Sequence, residues 1–311
     1  MKHLFPILLY VMLLFSGVLH CYAQSNVVLL KKWGEFGNQP GQLKFPTMLA
    51  IDQASNVYVV DQHNHRIQKF DAAGNFITMW GTQGNQPGQF NYPYGIAIDS
   101  KGNVYISDMN NNRIQKFSSN GTYITSVGTY GTQDGQLKYP YGIAVDELDN
   151  VYVIDAFNYR IQKFTSNLKF LSKWGSQESI GVKLYMPHEI ALAKDGSVLL
   201  ADRQNHRISV FTNEGKLIRR FGNYGEGVDA KDDEFSEPHG IAISDNGDIF
   251  ITDRYNFRIH RFDAANVAQT QWRTSGVLDD SKHFPLGIAI AKNGSIYVVD
   301  HYAHCIQQYK P

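Results

Sequence analysis

Two Pro-His phrases, Pro187-His188 and Pro238-His239, are each followed 15 residues on by an arginine that directly succeeds an aspartate, Asp202-Arg203 and Asp253-Arg254. Glu189 stands next to the first histidine. Two imidazoles and a carboxylate could ligate a divalent cation, zinc or calcium, and a guanidinium can grip a carboxylate or phosphate through two parallel N–H donors. The metal reading rests on His188 and His239. The wider set of candidate ligand contacts is Tyr94, Tyr141, Met109, Glu189, Arg203, Arg254 and His301. The plain alternative is a ring of solvated polar side chains around an open pore, where His and Arg are well tolerated. No catalytic residue is assigned: the chain has neither a Gly-x-Ser-x-Gly elbow nor a Cys–His pairing that would supply a nucleophile.

These residues belong together because of the elements that carry them. Pro46, Pro93, Pro140, Pro187, Pro238 and Pro285 open six copies of one phrase, clearest as PYGIAIDSKGNVYISDMNNNRIQKF over residues 93–117. Their spacings are 47, 47, 47, 51 and 47 residues. A fixed period of this length marks a repeat architecture. Within a copy, GIAID, NVYIS, RIQKF and TYITSVG read as four short strands, with Asp-x-x-Gly-Asn and Ser-Asn-Gly turns between them. Four antiparallel strands per unit, six units long, predict an all-β six-bladed β-propeller. The repeats run approximately over residues 33–79, 80–126, 127–173, 174–220, 221–271 and 272–311. The last copy stops at its third strand, and residues 26–32 read as an orphan fourth strand. The N-terminal strand is therefore expected to complete the sixth blade and seal both edges.

Chain direction then gathers the candidate residues. The start of each first strand and the residue after each constant aspartate fall on the same face, so both sets should ring one mouth of the central channel. Blades two and three bring Tyr94, Tyr141 and Met109; blades four to six bring His188, Glu189, Arg203, His239, Arg254 and His301. The four extra residues of the fourth spacing fall in residues 224–237, which hold six acids against one lysine. The constant pairs, such as Asp108 and Arg113, recur in nearly every copy and read as a tie between the second and third strands, because a catalytic constellation is assembled once per protein.

The phrase Pro-x-Gly-Ile-Ala-x-Asp, then Asn-Val-Tyr-x-x-Asp, then Asn-x-Arg-Ile-Gln-Lys-Phe resembles the NHL repeat. Its signature stands at Asn64 to Ile67, Asn111 to Ile114, Asn158 to Ile161, Asn205 to Ile208 and Asn256 to Ile259; the sixth copy departs with Ala303-His304-Cys305. The resemblance implies the propeller, and it leaves function open because protein-binding, RNA-binding and enzymatic propellers share the fold. The Pro-His and Asp-Arg phrases further resemble motifs of the peptidyl-hydroxyglycine amidating lyases, zinc propellers that use three histidines. That resemblance implies zinc at His188 and His239 and a carboxylate clamp at Arg203. It lacks a third Pro-His, since Tyr141 and Leu286 hold the comparable places. Lactone and ester hydrolases built on six blades offer a second enzymatic alternative, echoed only by Glu189.

Composition bounds the partners. The chain has 311 residues with 29 basic and 29 acidic side chains, which gives no support to nucleic-acid binding. Lys2, an apolar run over residues 4–18 and Cys21-Tyr22-Ala23 read as a secretory signal over residues 1–23, with no membrane span in the mature chain. After cleavage only Cys305 remains, so an internal disulfide is excluded. The expectation is a secreted or periplasmic monomer, a binding module that presents one channel mouth to a peptide, glycan or small molecule.

Overall fold

The computed structural model describes residues 27–175, 184–227, 229–274 and 283–311; the expected leader, residues 1–23, lies outside them. Blade 2 typifies the unit. Its strands Pro93–Ile98, Val104–Asp108, Arg113–Phe117 and Tyr123–Val127 pair in chain order as one antiparallel sheet. Five sheets follow that order, and the sixth is assembled from both ends of the chain. There Val28–Trp33 pairs with Cys305–Lys310, which pairs with Ile296–Asp300 and then Pro285–Ile290. Val28 stands opposite Lys310 and Trp33 opposite Ile306. The six-bladed ring and its N-terminal closing strand are thus as the repeat spacing predicts.

The second strand of every blade is buried throughout, from Val57–Asp61 in blade 1 to Ile296–Asp300 in blade 6. A neighbouring blade covers each of its faces, which is why these strands read as continuous Val, Ile and Tyr rather than as an alternation. The core therefore lies in the seams between blades. One seam packs Tyr58, Val60 and Ile67 of blade 1 against Ile96, Ile106 and Phe117 of blade 2.

The constant aspartate and arginine form the tie that their recurrence suggested, and it reaches further than the two strands. In blade 2, Arg113 Nε donates to Asp108 Oδ2 at 2.8 Å while its two terminal nitrogens donate to the carbonyls of Asn85, Gln86 and Gln89. Asp108 Oδ1 accepts the backbone N–H of Asn91 at 2.7 Å. One buried ion pair thereby fixes the inter-blade loop to the blade it enters. The sixth copy, with Cys305 in the arginine position, holds Asp300 through Gln307 and His283 instead.

The inner strands differ in pairs across the ring. Blades 2, 3, 5 and 6 begin with six-residue inner strands that carry a bulge after the opening proline. Each has glycine two residues after that proline because the next blade passes close by. A Cβ on Gly142 would lie 2.7 Å from the His188 carbonyl oxygen and 2.8 Å from Glu189 Cα. Blades 1 and 4 carry Met48 and Glu189 at that place, and their inner strands shorten to Leu49–Ile51 and Ile190–Leu192. Their ladder continues without the bulge, Val60 N donating to Met48 O and Ala201 N to Glu189 O. Blades 2 and 5 alone place a hydroxyl, Ser107 or Thr252, between their own glycine N–H and the next blade's carbonyl. The ring is thus two related sets of three blades. Among the described residues no helix is long and apolar enough to cross a membrane.

Candidate functional site

Tyr94, His188 and His239 enter the channel from the first turns of the inner strands of blades 2, 4 and 5. Their polar atoms converge: Tyr94 Oη lies 2.6 Å from His188 Nδ1 and 2.7 Å from His239 Nε2, and the two nitrogens are 3.0 Å apart. All three side chains are buried. The Tyr141 ring closes one side, 4.6 Å from the His188 ring centre and 4.8 Å from that of Tyr94.

The donor and acceptor inventory fixes where the protons sit. Arg203 Nη1 is 2.9 Å from His188 Nε2. A guanidinium only donates, so His188 Nε2 accepts and the imidazole proton is on Nδ1. That N–H points at Tyr94, whose own hydroxyl then donates to His239 Nε2. The remaining proton of His239 is left on Nδ1, a buried position with no hydrogen-bond partner among the described residues. Burial, and after it the Arg203 and Arg254 cations, holds His188 well below the ordinary histidine range. Burial, the His188 ring and the same two arginines do the same to His239. Both rings are therefore neutral at physiological pH. Burial, then Tyr141 and Glu189, pushes the Tyr94 phenol well above its usual value, so it keeps its proton.

Arg203 and Arg254 share one counter-ion. Glu237 Oε2 is 2.5 Å from Arg203 Nη2, 2.7 Å from Arg203 Nε and 3.5 Å from Arg254 Nη1. Two guanidiniums against one carboxylate leave one positive charge in excess. The Nε of Arg254 is buried and makes no hydrogen bond among the described residues. Glu237 is itself pinned, its N–H donating to His206 Nδ1 at 3.2 Å. It also forms one wall of an open recess of roughly 460 Å³, lined besides by His206, Tyr224, Glu226, Ser236 and Tyr255.

Glu237 was not among the residues singled out from the sequence, although a signal was there. The residue before the opening proline is Phe45, Tyr92, Tyr139, Met186, Glu237 or Phe284, so only blade 5 places a charge at this position. Of the residues that were singled out, Tyr94, Tyr141, His188, His239, Arg203 and Arg254 lie together, and Met109 packs against the blade 1–2 core that includes Tyr94. Glu189 lines the same channel. Its Oε1 accepts the N–H of Ile190, and enclosure by the surrounding blades pushes its carboxyl up to about 8. His301 stands apart from the pair. Its Nδ1 donates to the Pro46 carbonyl at 2.8 Å, its ring packs on Phe45, and burial lowers its pKa to about 4.

The donor set fits poorly to a zinc held by three histidines. Two imidazoles and a phenol converge, and among the described residues no third His, Cys, Asp or Glu joins them. Arg203 sets a fixed positive charge against the outer nitrogen of His188, where a divalent cation would add to it. The arrangement suits an anionic group beside the arginines, with a neutral proton-holding relay behind it.

The NHL repeat model matches residues 90–117, 184–211, 235–262 and 283–309. The chain is a six-bladed β-propeller, and four of its blades match the NHL repeat. Two curated proteins, Protein brain tumor of Drosophila melanogaster and B-box type zinc finger protein ncl-1 of Caenorhabditis elegans, are each 44% identical over 45 residues. The matched segment is 14% of this chain and only 4% and 5% of theirs. Among solved structures, a streptogramin B lyase superposes with a TM-score of 0.64 at 17% identity, covering 91% of this chain and 97% of its own. A catalytically inactive histidine-to-alanine virginiamycin B lyase from Staphylococcus aureus, with quinupristin, gives 0.62 at 15%, covering 92% and 99%. A gluconolactonase from Xanthomonas campestris gives 0.65 at 11%, covering 86% of each chain. At these identities the likeness is one of fold.

Proposed function

We propose that the protein is an exported binding propeller whose site is the channel mouth at blades 4 and 5, and that it takes a small molecule or peptide end through a carboxylate. The observation that carries this reading is the sharing of Glu237 by Arg203 and Arg254 at the edge of an open recess. A ligand carboxylate that reaches the two guanidiniums neutralises the excess charge and accepts charge-assisted hydrogen bonds, roughly twice as strong as neutral ones. Calorimetric titration with short peptides, each offered with a free and an amidated C-terminus, tests it. The free acids should bind, and Arg203→Ala with Arg254→Ala should weaken them by roughly tenfold to a hundredfold. Equal binding of acid and amide, or an unaffected double variant, would discard the carboxylate reading. Export rests on residues 1–23, and N-terminal sequencing of the secreted product should begin at Gln24.

An enzymatic reading, as a metal-dependent lyase or a lactone hydrolase, has one observation in its favour: the Tyr94 phenol held between two neutral imidazoles is a proton relay of the kind general acid–base chemistry uses. Similar folds among solved structures include a streptogramin B lyase and a gluconolactonase, in line with that reading. Metal analysis of the purified protein separates the two. Stoichiometric zinc, lost in His188→Ala with His239→Ala, would favour the enzyme over the binding module.

A further inference from the structure

The opposite end of the inner strands carries a second site. In blades 1 to 3 a trio plugs the seam to the next blade: Asp52, Tyr58 and Lys69; Asp99, Tyr105 and Lys116; Asp146, Tyr152 and Lys163. Each lysine stands directly across from its tyrosine on the neighbouring strand and lies 4.7–4.9 Å over its ring. In the first two seams the phenol also reaches a backbone carbonyl of the next blade, Tyr58 Oη to Ser119 O at 3.2 Å and Tyr105 Oη to Ser166 O at 2.8 Å. Blades 5 and 6 keep an aromatic ring with a long polar partner, Phe250 under Arg261 and Tyr297 bonded to Gln308.

Blade 4 departs at all three positions. Ala193, Leu199 and Val210 replace the carboxylate, the phenol and the ammonium, with Leu199 and Val210 in the same cross-strand register. The seam between blades 4 and 5 there holds a half-open cavity of roughly 290 Å³. Its apolar walls are Ala193, Leu199, Ile243, Ile249 and Ala264, the last being the counterpart of Ser119 and Ser166, and Ser197, Arg219 and Ser244 add polar groups to the lining. Lys194 and Asp245, paired at 2.9 Å, stand at its rim. A mixed lining of this kind suits a small ring that carries one polar group.

We propose that this seam binds a small phenol, whose ring fills the place of the missing tyrosine and whose hydroxyl donates to the Ala264 carbonyl as Tyr105 does to Ser166. The ligand class follows from the chain's own seams, which show what side chain completes the same surface. The site is independent of the arginine-lined mouth, since it stands at the other end of the inner strands.

The test uses p-cresol and toluene as probes on the purified protein, followed by methyl resonances of Leu199, Ile243 and Ile249. p-Cresol should bind saturably with a dissociation constant on the order of 1 mM. Toluene, lacking the hydroxyl, should bind roughly tenfold more weakly. Leu199→Tyr refills the seam and should abolish p-cresol binding while raising the melting temperature. The proposal is overturned if p-cresol does not saturate, if toluene binds equally well, if the shifts fall elsewhere, or if a cooperatively folded Leu199→Tyr binds like the parent. Should that variant fail to fold, the ratio of the two probes and the location of the shifts in the parent still decide.

Discussion

At the scale of single residues, Glu189 and the histidine pair pull the pH response of stability in opposite directions. Enclosure in the channel raises Glu189 from its ordinary 4.5 to about 8, so between those values the folded protein holds a proton the unfolded chain has released. Its stabilising contribution is complete below about 4.5 and is lost as pH climbs through 8. His188 and His239 are held below their ordinary 6.5, so the unfolded chain binds more protons in acid and stability falls as pH drops through that value. Glu189→Gln removes the first response only. Denaturation in urea should find the variant ~4–5 kcal/mol more stable than the parent at pH 9 and within ~1 kcal/mol of it at pH 5. Equal stabilities at both pH values would show that Glu189 ionises freely. The sequence pointed to most of this cluster by subtraction, because residues that break a six-fold pattern stand out. The subtraction was not carried to the residue before the proline, and so it left out Glu237, the carboxylate on which both arginines depend. Hydrogen-bond direction was beyond reach as well, since the orphaned Nδ1 of His239 follows only from distances.

At the scale of elements, close approach of neighbouring inner strands explains the four recurring glycines better than any turn does. A Cβ at Gly240 would run into the Leu286 carbonyl oxygen and crowd the Thr252 hydroxyl. That hydroxyl bridges the Gly240 N–H and the Leu286 carbonyl, so the strand cannot shift without breaking both bonds. Gly240→Ala should cost ~1–3 kcal/mol as an overpacking substitution, read as a lowered urea midpoint with an unchanged slope. A loss below ~0.5 kcal/mol would mean the neighbouring blade yields easily. Strand identity and hairpin chemistry were legible in the repeated phrase, and in blade 2 all four strands lie within two residues of where it placed them. The shortening of the inner strands in blades 1 and 4 was not. It arises from a ladder without a bulge, and Met48 and Glu189 appear in sequence only as two missing glycines.

At the scale of the whole molecule, the pairing of Val28–Trp33 with Cys305–Lys310 is what makes the blades a ring. Deleting residues 27–32 exposes Cys305–Lys310 as an unpaired edge beside the sixth blade's core. The truncated protein should aggregate or lose its cooperative melt, and light scattering with calorimetry will tell; a deletion variant with unchanged melting would refute closure as the source of stability. The ring also holds two dissimilar halves on one scaffold, with Tyr94 and Tyr141 facing His188, Arg203, His239 and Arg254 across the channel mouth. The closing pair has a further meaning for synthesis. Val28–Trp33 is the first of the described strands to be made and Cys305–Lys310 the last, so the closing pair cannot form until all the other blades have left the ribosome. Five blades can stack in order as they emerge, while the earliest strand waits, solvent-facing and apolar at Leu29 and Leu30. A circular permutant joined across the present ends and opened between blades 2 and 3 would make that contact local and move the long wait to a different seam.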